Sequence, residues 1–234
     1  TNWAEQNDLS TGRKYLGGAV TSTAGLASGG DTGSASGATE EWTGAGAPIG
    51  AWATTNSLNT GREEFNIGGA GTQTAALAFG GLTPPLSALT EKYNGTSWTE
   101  VGDLNTARYS LGGAGTQTAA LGFGGDSPPR ALTESFDGTS WTEVGDLNDP
   151  RGYGAGCGTS TAALMVSGDY PATANVEQWN GSSWTEIANV NTAVFRNAAA
   201  GTTSAAIKFA GQPGNAQTEN WNGSSWTEVS DLNT

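Results

Sequence analysis

The segment WTEVGDLNTAR at residues 98–108 decides the fold, because close copies of it recur along the whole chain. Matching segments begin at six tryptophans: Trp3, Trp52, Trp98, Trp141, Trp184 and Trp226. Their spacings are 49, 46, 43, 43 and 42 residues. A second anchor, a threonine followed nine residues later by a glycine, occurs five times, from Thr21 and Gly30 to Thr202 and Gly211. The two anchors together define five complete repeat units.

Within each unit, the local patterns predict four short strands and no helix. In the third unit the predicted strands are 109–116, 118–124, 132–136 and 140–144. The third and fourth strands are joined by Asn-Gly or Asp-Gly, as at Asp137-Gly138, which favours a two-residue type I′ hairpin. Four antiparallel strands in a unit of this length are typical of one β-propeller blade.

The units resemble kelch repeats over essentially the whole chain. The resemblance is carried by an apolar run into Gly-Gly, such as LGFGG at 121–125, then an aromatic residue such as Phe136 and a tryptophan five residues later. It implies one all-β domain, a five-bladed propeller with four antiparallel strands per blade. The expected blades are 13–56, 62–104, 108–147, 151–190 and 194–232, and residues 1–12 duplicate an outer strand. The fifth unit departs from the pattern, because Val194 replaces its arginine.

The tryptophans that head the segments are expected to fill the wedges between blades as structural core. These are Trp52, Trp98, Trp141, Trp184 and Trp226. The innermost strands carry mostly glycine, alanine and threonine, which suits the narrow axis of a ring with few blades. Cys157 stands where other units have alanine, so we expect a small buried residue.

The chain begins and ends with a copy of the same outer strand, and both copies cannot fill one place in a closed ring. The C-terminal copy at Trp226 is favoured because a local hairpin holds it. The N-terminal copy at Trp3 is then spare, or adds to a sheet edge, in another molecule for example. We therefore expect a monomer, with strand exchange as the alternative.

Composition excludes several classes of function. The net charge of −13 repels nucleic acid and anionic lipid, and no run of residues is apolar enough to insert in a membrane. The absence of histidine removes Ser-His-Asp and Cys-His catalysis and histidine-ligated metals. We expect no catalytic residues, no metal and no cofactor, hence no enzyme.

The acidic residues mostly recur with the repeat, which indicates a structural or solvated role rather than catalysis. Fourteen of the 22 acids occupy repeat positions. Glu63 and Glu64 break the pattern as a two-residue insertion near the start of the first strand of the second unit. A glycosidase needs two carboxylates about 5–10 Å apart, so this pair is the one candidate for hydrolysis.

Candidate ligand-binding residues lie on the loop face, around the expected mouth of the central channel. Four arginines at one repeat position would form a partial ring able to hold a carboxylate, sulfate or acidic peptide side chain: Arg13, Arg62, Arg108 and Arg151. The alternative is that each arginine ties down its own loop through a nearby Asp or carbonyl. Variable loops on the same face add Asp31, Asp126, Asp169 and Tyr170. The alternative role for the aspartates is turn formation.

The sequence therefore predicts a non-enzymatic scaffold that binds a protein or a surface ligand. The alternative is a multivalent lectin with similar pockets between blades, and a glycosidase-like hydrolase ranks third. The repeats also resemble those of predicted viral or phage surface proteins. That resemblance implies host attachment by a soluble protein that is extracellular or associated with a virion.

Overall fold

The computed structural model describes residues 8–20, 24–43, 51–65, 70–128, 130–169, 171–213 and 216–232. These residues form five four-stranded antiparallel sheets, and each sheet takes its strands in chain order. The described ranges contain no helix, and hence none that could cross a membrane. The fold is a five-bladed β-propeller.

The strands of each blade run from the axis outward. Blade 1 contains β1 (Gly17–Val20), β2 (Ala24–Ser28), β3 (Thr39–Thr43) and β4 (Ala51–Thr55). Blade 2 contains β5 (Gly71–Thr72), β6 (Ala75–Phe79), β7 (Thr90–Tyr93) and β8 (Trp98–Glu100). Blade 3 contains β9 (Gly112–Thr116), β10 (Ala119–Phe123), β11 (Thr133–Phe136) and β12 (Trp141–Glu143). Blade 4 contains β13 (Ala155–Thr159), β14 (Ala162–Gly168), β15 (Thr173–Trp179) and β16 (Trp184–Ile187). Blade 5 contains β17 (Ala198–Gly201), β18 (Ala206–Phe209), β19 (Thr218–Trp221) and β20 (Trp226–Glu228).

The predicted type I′ hairpins between the third and fourth strands are wrong. Phe136 pairs with Trp141 across a four-residue loop, in which Gly138 has a φ of 101° and Asp137 has no positive φ. The Asp137 carboxylate accepts hydrogen bonds from the amides of Thr139 and Ser140, at 2.8 and 2.9 Å. These bonds, the one from Ser140 above all, lower the pKa of Asp137. The side chain thus stabilises a longer turn that needs only the glycine at positive φ.

Tryptophans fill the wedges between neighbouring blades. The ring of Trp141 lies between Phe79 of blade 2 and Phe136 of its own blade, with centroid distances of 4.8 and 5.0 Å. Its indole N–H donates to Thr90 Oγ1 at 3.0 Å, so the wedge also carries a buried hydrogen bond. Trp98, Trp141, Trp184 and Trp226 are 4–6% exposed. The side chain of Trp52 lies outside the described residues.

Small residues allow the inner strands to approach one another at the axis. A Cβ atom at Gly156 of β13 would clash with the backbone of Gly113 in β9. Cys157 is buried beside it, and burial raises the pKa of its thiol to about 12.

At the outer edge of blade 5, β20 occupies the last place in the sheet, so the C-terminal copy of the outer strand is the one used there. The N-terminal copy at Trp3 lies outside the described residues.

Candidate functional site

The four predicted ligand-binding arginines are buried in ion pairs. Arg108 donates to the carbonyls of Gly124 and Leu132 at 2.8 and 2.7 Å, and to Glu134 Oε1 at 2.8 Å. The same pairing joins Arg13 to Glu40, Arg62 to Glu91 and Arg151 to Glu177, and all four arginine side chains are 0% exposed. This corrects the expectation of a ligand-binding ring, because none of these guanidinium groups can reach a ligand. Each arginine instead holds its own loop, as in the alternative interpretation, with a glutamate as its ionic partner.

The recurring glutamates of the third strands fasten the connections between blades. Glu134 Oε2 accepts hydrogen bonds from the backbone N–H and the Nδ2 of Asn105, at 2.7 and 2.8 Å. Asn148 and Asn191 make the same pair of bonds to Glu177 and Glu219. Burial opposes ionisation of Glu177, but its hydrogen bonds to Asn148 and Arg151 outweigh burial and lower its pKa. These acids are structural.

In blade 5, a different residue neutralises the buried third-strand glutamate. Val194 occupies the arginine position, and the cation comes from Lys208, whose side chain is 0% exposed and whose Nζ lies 3.4 Å from Glu219 Oε1. Lys208 is the cross-strand partner of Glu219. In blade 4 the corresponding partner of Glu177 is Met165. Lys208 thus stands where blade 4 has an apolar residue, and it does so in the one repeat unit of the sequence that lacks the arginine.

Five residues, each two positions after the arginine position or its Val194 equivalent, surround the axis; we call them the axial ring. They are Tyr15, Glu64, Ser110, Tyr153 and Arg196, and all have φ between 50° and 57°. A positive φ is uncommon for a residue other than glycine. Backbone N–H groups of the ring donate to the preceding ring carbonyl, from Glu64 to Tyr15 at 3.0 Å and from Arg196 to Tyr153 at 2.7 Å, for example. These bonds link successive blades and direct the five side chains toward the axis of the propeller.

The axial ring opens into a cavity of about 590 Å³, which we call the axial mouth. Leu16, Phe65 and Leu111 form apolar parts of its wall, and Asn197 and Gln212 add amide groups. A second cavity of about 490 Å³ continues from it between the inner strands and shares Leu16, Phe65 and Asn197 with the mouth. The Oδ1 atom of Asn197 is buried without a hydrogen-bond partner. The mouth therefore combines apolar surface with a few polar groups, as small-ligand sites do.

One guanidinium group connects several residues of the axial ring. Arg196 lies over the rings of Tyr15 and Tyr153, with its Cζ 4.7 and 5.0 Å from their centroids. It donates to Tyr15 Oη at 3.1 Å and pairs with Glu64 Oε1 at 3.2 Å. The other oxygen of Glu64 accepts from Ser110 Oγ at 2.6 Å. Side chains from all five blades thus meet in one network.

The predicted aspartates lie at the border of this network. Asp126 accepts from Tyr109 and Tyr153 at 2.8 and 2.6 Å. Burial raises the pKa of Asp126, but these two bonds and the charge of Arg130 outweigh it and lower the pKa. Arg130 pairs with Asp126 at 3.1 Å and also with Asp169.

Asp31 has both a turn-forming and an ionic contact. Its carboxylate accepts from the amide of Gly33 at 2.6 Å, as the turn alternative requires, and lies 3.1 Å from Lys14 Nζ. Lys14 lines the axial mouth. Tyr170 lies outside the described residues.

Glu63 and Glu64 follow Arg62 as Lys14 and Tyr15 follow Arg13, so they are ordinary repeat positions; this corrects their interpretation as an insertion. Burial above all, and then the charges of Asp31 and Glu64, raise the pKa of Glu63.

Cations that do not neutralise buried glutamates are concentrated around the axial mouth. Of the nine lysines and arginines, all of which are described, five are buried in the ion pairs above. Three of the other four, Lys14, Arg130 and Arg196, surround the mouth or contact the aspartates at its border. Within the described ranges, no group of three or more Cys, Asp or Glu residues could hold a metal ion. The mouth is therefore a mixed site of tyrosines, carboxylates and cations.

Tyr15, Ser110, Tyr153 and Arg196 were missed by the sequence interpretation. The signal that could have found them is variation: the residue two places after the arginine is of four types in five units, whereas the arginine itself recurs in four.

No family model and no curated protein matches the chain. Among solved structures, the chain is similar to YjhT, with a TM-score of 0.79 and 14% identity. The match covers 97% of this chain and 86% of YjhT. At this identity, the similarity shows the propeller fold alone.

Proposed function

We propose that the protein is a non-enzymatic binding module that recognises its partner at the axial mouth. The observation that carries the proposal is the axial ring, where five blades share one backbone conformation and present four different residue types. Residues that a repeated fold requires recur from unit to unit, as the buried Arg-Glu pairs do. A position with constant geometry and changing chemistry is suited to recognition.

The contacts of Glu64 and Asp126 support binding rather than hydrolysis. Glu64 is engaged by Arg196 and Ser110, and Asp126 by two tyrosines. General acid–base catalysis needs a carboxyl group that can exchange a proton with the substrate. Because its hydrogen bonds favour the ionised form, Asp126 is suited to accept hydrogen bonds and poorly suited to donate a proton to a substrate.

The location of the site bears on the kind of partner. The axial mouth, with a cavity of about 590 Å³, has room for one side chain, loop tip or sugar of a protein or surface ligand. Among the described side chains, Trp98, Trp141, Trp184 and Trp226 fill four wedges between blades, which leaves little room there for the equivalent pockets of a multivalent lectin. The resemblance of the repeats to predicted viral or phage surface proteins extends the proposal to host attachment outside the cell.

Binding stoichiometry and location test the proposal together. Labelled protein is screened on a glycan array and on intact cells, and the strongest ligand is then titrated by calorimetry. We expect one equivalent per chain, with affinity reduced at least about tenfold by Tyr153→Ala. The matched control is Glu143→Gln, on the exposed part of an outer strand, and circular dichroism verifies folding of both. Several equivalents per chain, or binding that survives Tyr153→Ala, would contradict the proposal.

A further inference from the structure

The guanidinium group of Arg196 lies in a cage built by other blades. Tyr15 of blade 1 and Tyr153 of blade 4 present their ring faces to it, and Glu64 of blade 2 supplies a carboxylate at 3.2 Å. Only 33% of the Arg196 side chain is exposed. Aromatic faces combined with a carboxylate are the chemistry with which proteins recognise guanidinium and ammonium groups.

The walls of this cage are held by contacts that do not involve Arg196. Ser110 Oγ donates to Glu64 at 2.6 Å, and Tyr153 Oη donates to Asp126 at 2.6 Å. The backbone carbonyl of Tyr15 accepts from the N–H of Glu64 at 3.0 Å, and its ring is contacted by Lys14, whose Nζ lies 5.0 Å from the ring centroid. The cage is therefore preorganised and should keep its shape when the Arg196 side chain is removed or leaves.

The charges around the cage favour a cation. Lys14 and Arg130 are engaged by Asp31 and by Asp126 with Asp169, respectively. Once Arg196 is removed, no other ion pair among the described residues neutralises Glu64, and Glu63 adds a second acid beside it. The protein as a whole carries −13, so its long-range field also attracts cations.

We propose that the cage formed by Tyr15, Glu64 and Tyr153 is a binding site for a guanidinium or ammonium group, with Arg196 as its resident occupant. A cationic side chain of a partner enters by displacing Arg196 toward solvent. This inference rests on the proposed binding function and assigns the ligand chemistry of the same mouth. Competition from Arg196 weakens external binding to the unmodified protein, because only the fraction with an open cage can bind.

Methylguanidinium provides a direct probe of the empty cage. In Arg196→Gly, the glycine suits the observed φ of 56°, and the backbone bond to Tyr153 is kept. Two-dimensional NMR should show saturable binding of one methylguanidinium per chain, about tenfold or more tighter than to the unmodified protein. Urea, which is similar in shape but neutral, should show no saturable binding at the same concentrations.

A charge-matched pair of substitutions locates the site. Added to Arg196→Gly, Glu64→Gln should weaken methylguanidinium binding about tenfold. Glu143→Gln, which removes the same charge from an exposed outer strand, should leave it unchanged. Arg196→Gln, neutral and of similar shape, serves as a second opened variant if the glycine variant does not fold.

The proposal would be overturned if methylguanidinium showed no saturable binding to folded Arg196→Gly and Arg196→Gln. It would also be overturned if Glu64→Gln left methylguanidinium binding unchanged. Because this probe does not involve the natural partner, a failed cage leaves the stoichiometry test of the mouth intact. Conversely, if methylguanidinium binds the opened cage but the natural ligand binds undiminished to Tyr153→Ala, the cation chemistry of the cage is supported and its use by the partner is overturned. The two failures are therefore distinguishable.

Discussion

Transplanting the ion pair of blade 5 into blade 4 should rescue an otherwise damaging substitution. The perturbation combines Arg151→Val, which copies Val194, with Met165→Lys, which copies Lys208. Both Met165 and Lys208 are fully buried cross-strand partners of the third-strand glutamate. If each buried glutamate needs one buried cation, Glu177 can be neutralised either by Arg151 or by a lysine at position 165.

The magnitudes follow from the contacts. Arg151→Val removes the 2.6 Å ion pair to Glu177 and the bonds to the carbonyls of Ser167 and Asp149. Leaving a buried charge unpaired costs about 3–5 kcal/mol. For a domain of this size, each kcal/mol of lost stability lowers Tm by about 2–4 °C. We therefore expect Arg151→Val to lower Tm by about 10 °C. Met165→Lys alone places a second buried cation beside Arg151 and should be similarly destabilising.

The double variant should recover most of the loss. We expect the double variant to be more stable than either single variant, so the coupling energy between the two sites must exceed the roughly 3–5 kcal/mol that each substitution costs alone; urea unfolding of the four proteins with common m-values measures it. Simple addition of the two single-variant losses would mean that the lysine introduced by Met165→Lys does not neutralise Glu177, contrary to this prediction.

Further predictions concern the wedge, the axis and pH. Trp141→Ala should lower the free energy of unfolding by about 3–5 kcal/mol in urea titrations, because it empties the space between Phe79 and Phe136; an unchanged midpoint would contradict the packing. Cys157, buried and with its thiol pKa raised to about 12, should react with a thiol reagent at pH 8 only after unfolding, and rapid labelling of the native protein would disprove its burial. The folded-state pKa of Glu177 is lowered, so its ionised form should stabilise the protein fully above about pH 4.3 and progressively less as pH falls through the folded pKa. The stability difference between the unmodified protein and Glu177→Gln should shrink over that acidic range, and a difference independent of pH would count against the assignment.

The strands and the blade order could be predicted because the information is local and repeated. In the third unit, the predicted strand at 132–136 corresponds to Thr133–Phe136 and that at 140–144 to Trp141–Glu143. The first predicted strand began too early, since Ser110 adopts a positive φ in the axial ring rather than an extended conformation. The hairpin type could not be predicted from Asp137-Gly138, because a side-chain acceptor competes with the backbone turn.

Most residues of the axial mouth lie close in sequence to the predicted arginines, but they are different residues. The sequence places the arginines near the channel mouth, but spacing alone does not tell whether a guanidinium group points to solvent or to Glu134. The role of Lys208 depends on the strand register opposite Glu219, which only the three-dimensional structure provides. The convergence of Tyr15, Tyr153 and Arg196 depends likewise on bringing three distant units around one axis.

Crystallographic fragment soaking tests recognition at the axial mouth without knowledge of the ligand. Crystals of the unmodified protein and of Arg196→Gly would be soaked with a set of small polar, aromatic and cationic fragments. We expect bound fragments to concentrate in the mouth, with cationic ones between Tyr15 and Tyr153 in the variant. Fragments that gather in the wedges between blades or along the outer strands, with the mouth of both proteins unoccupied, would contradict it.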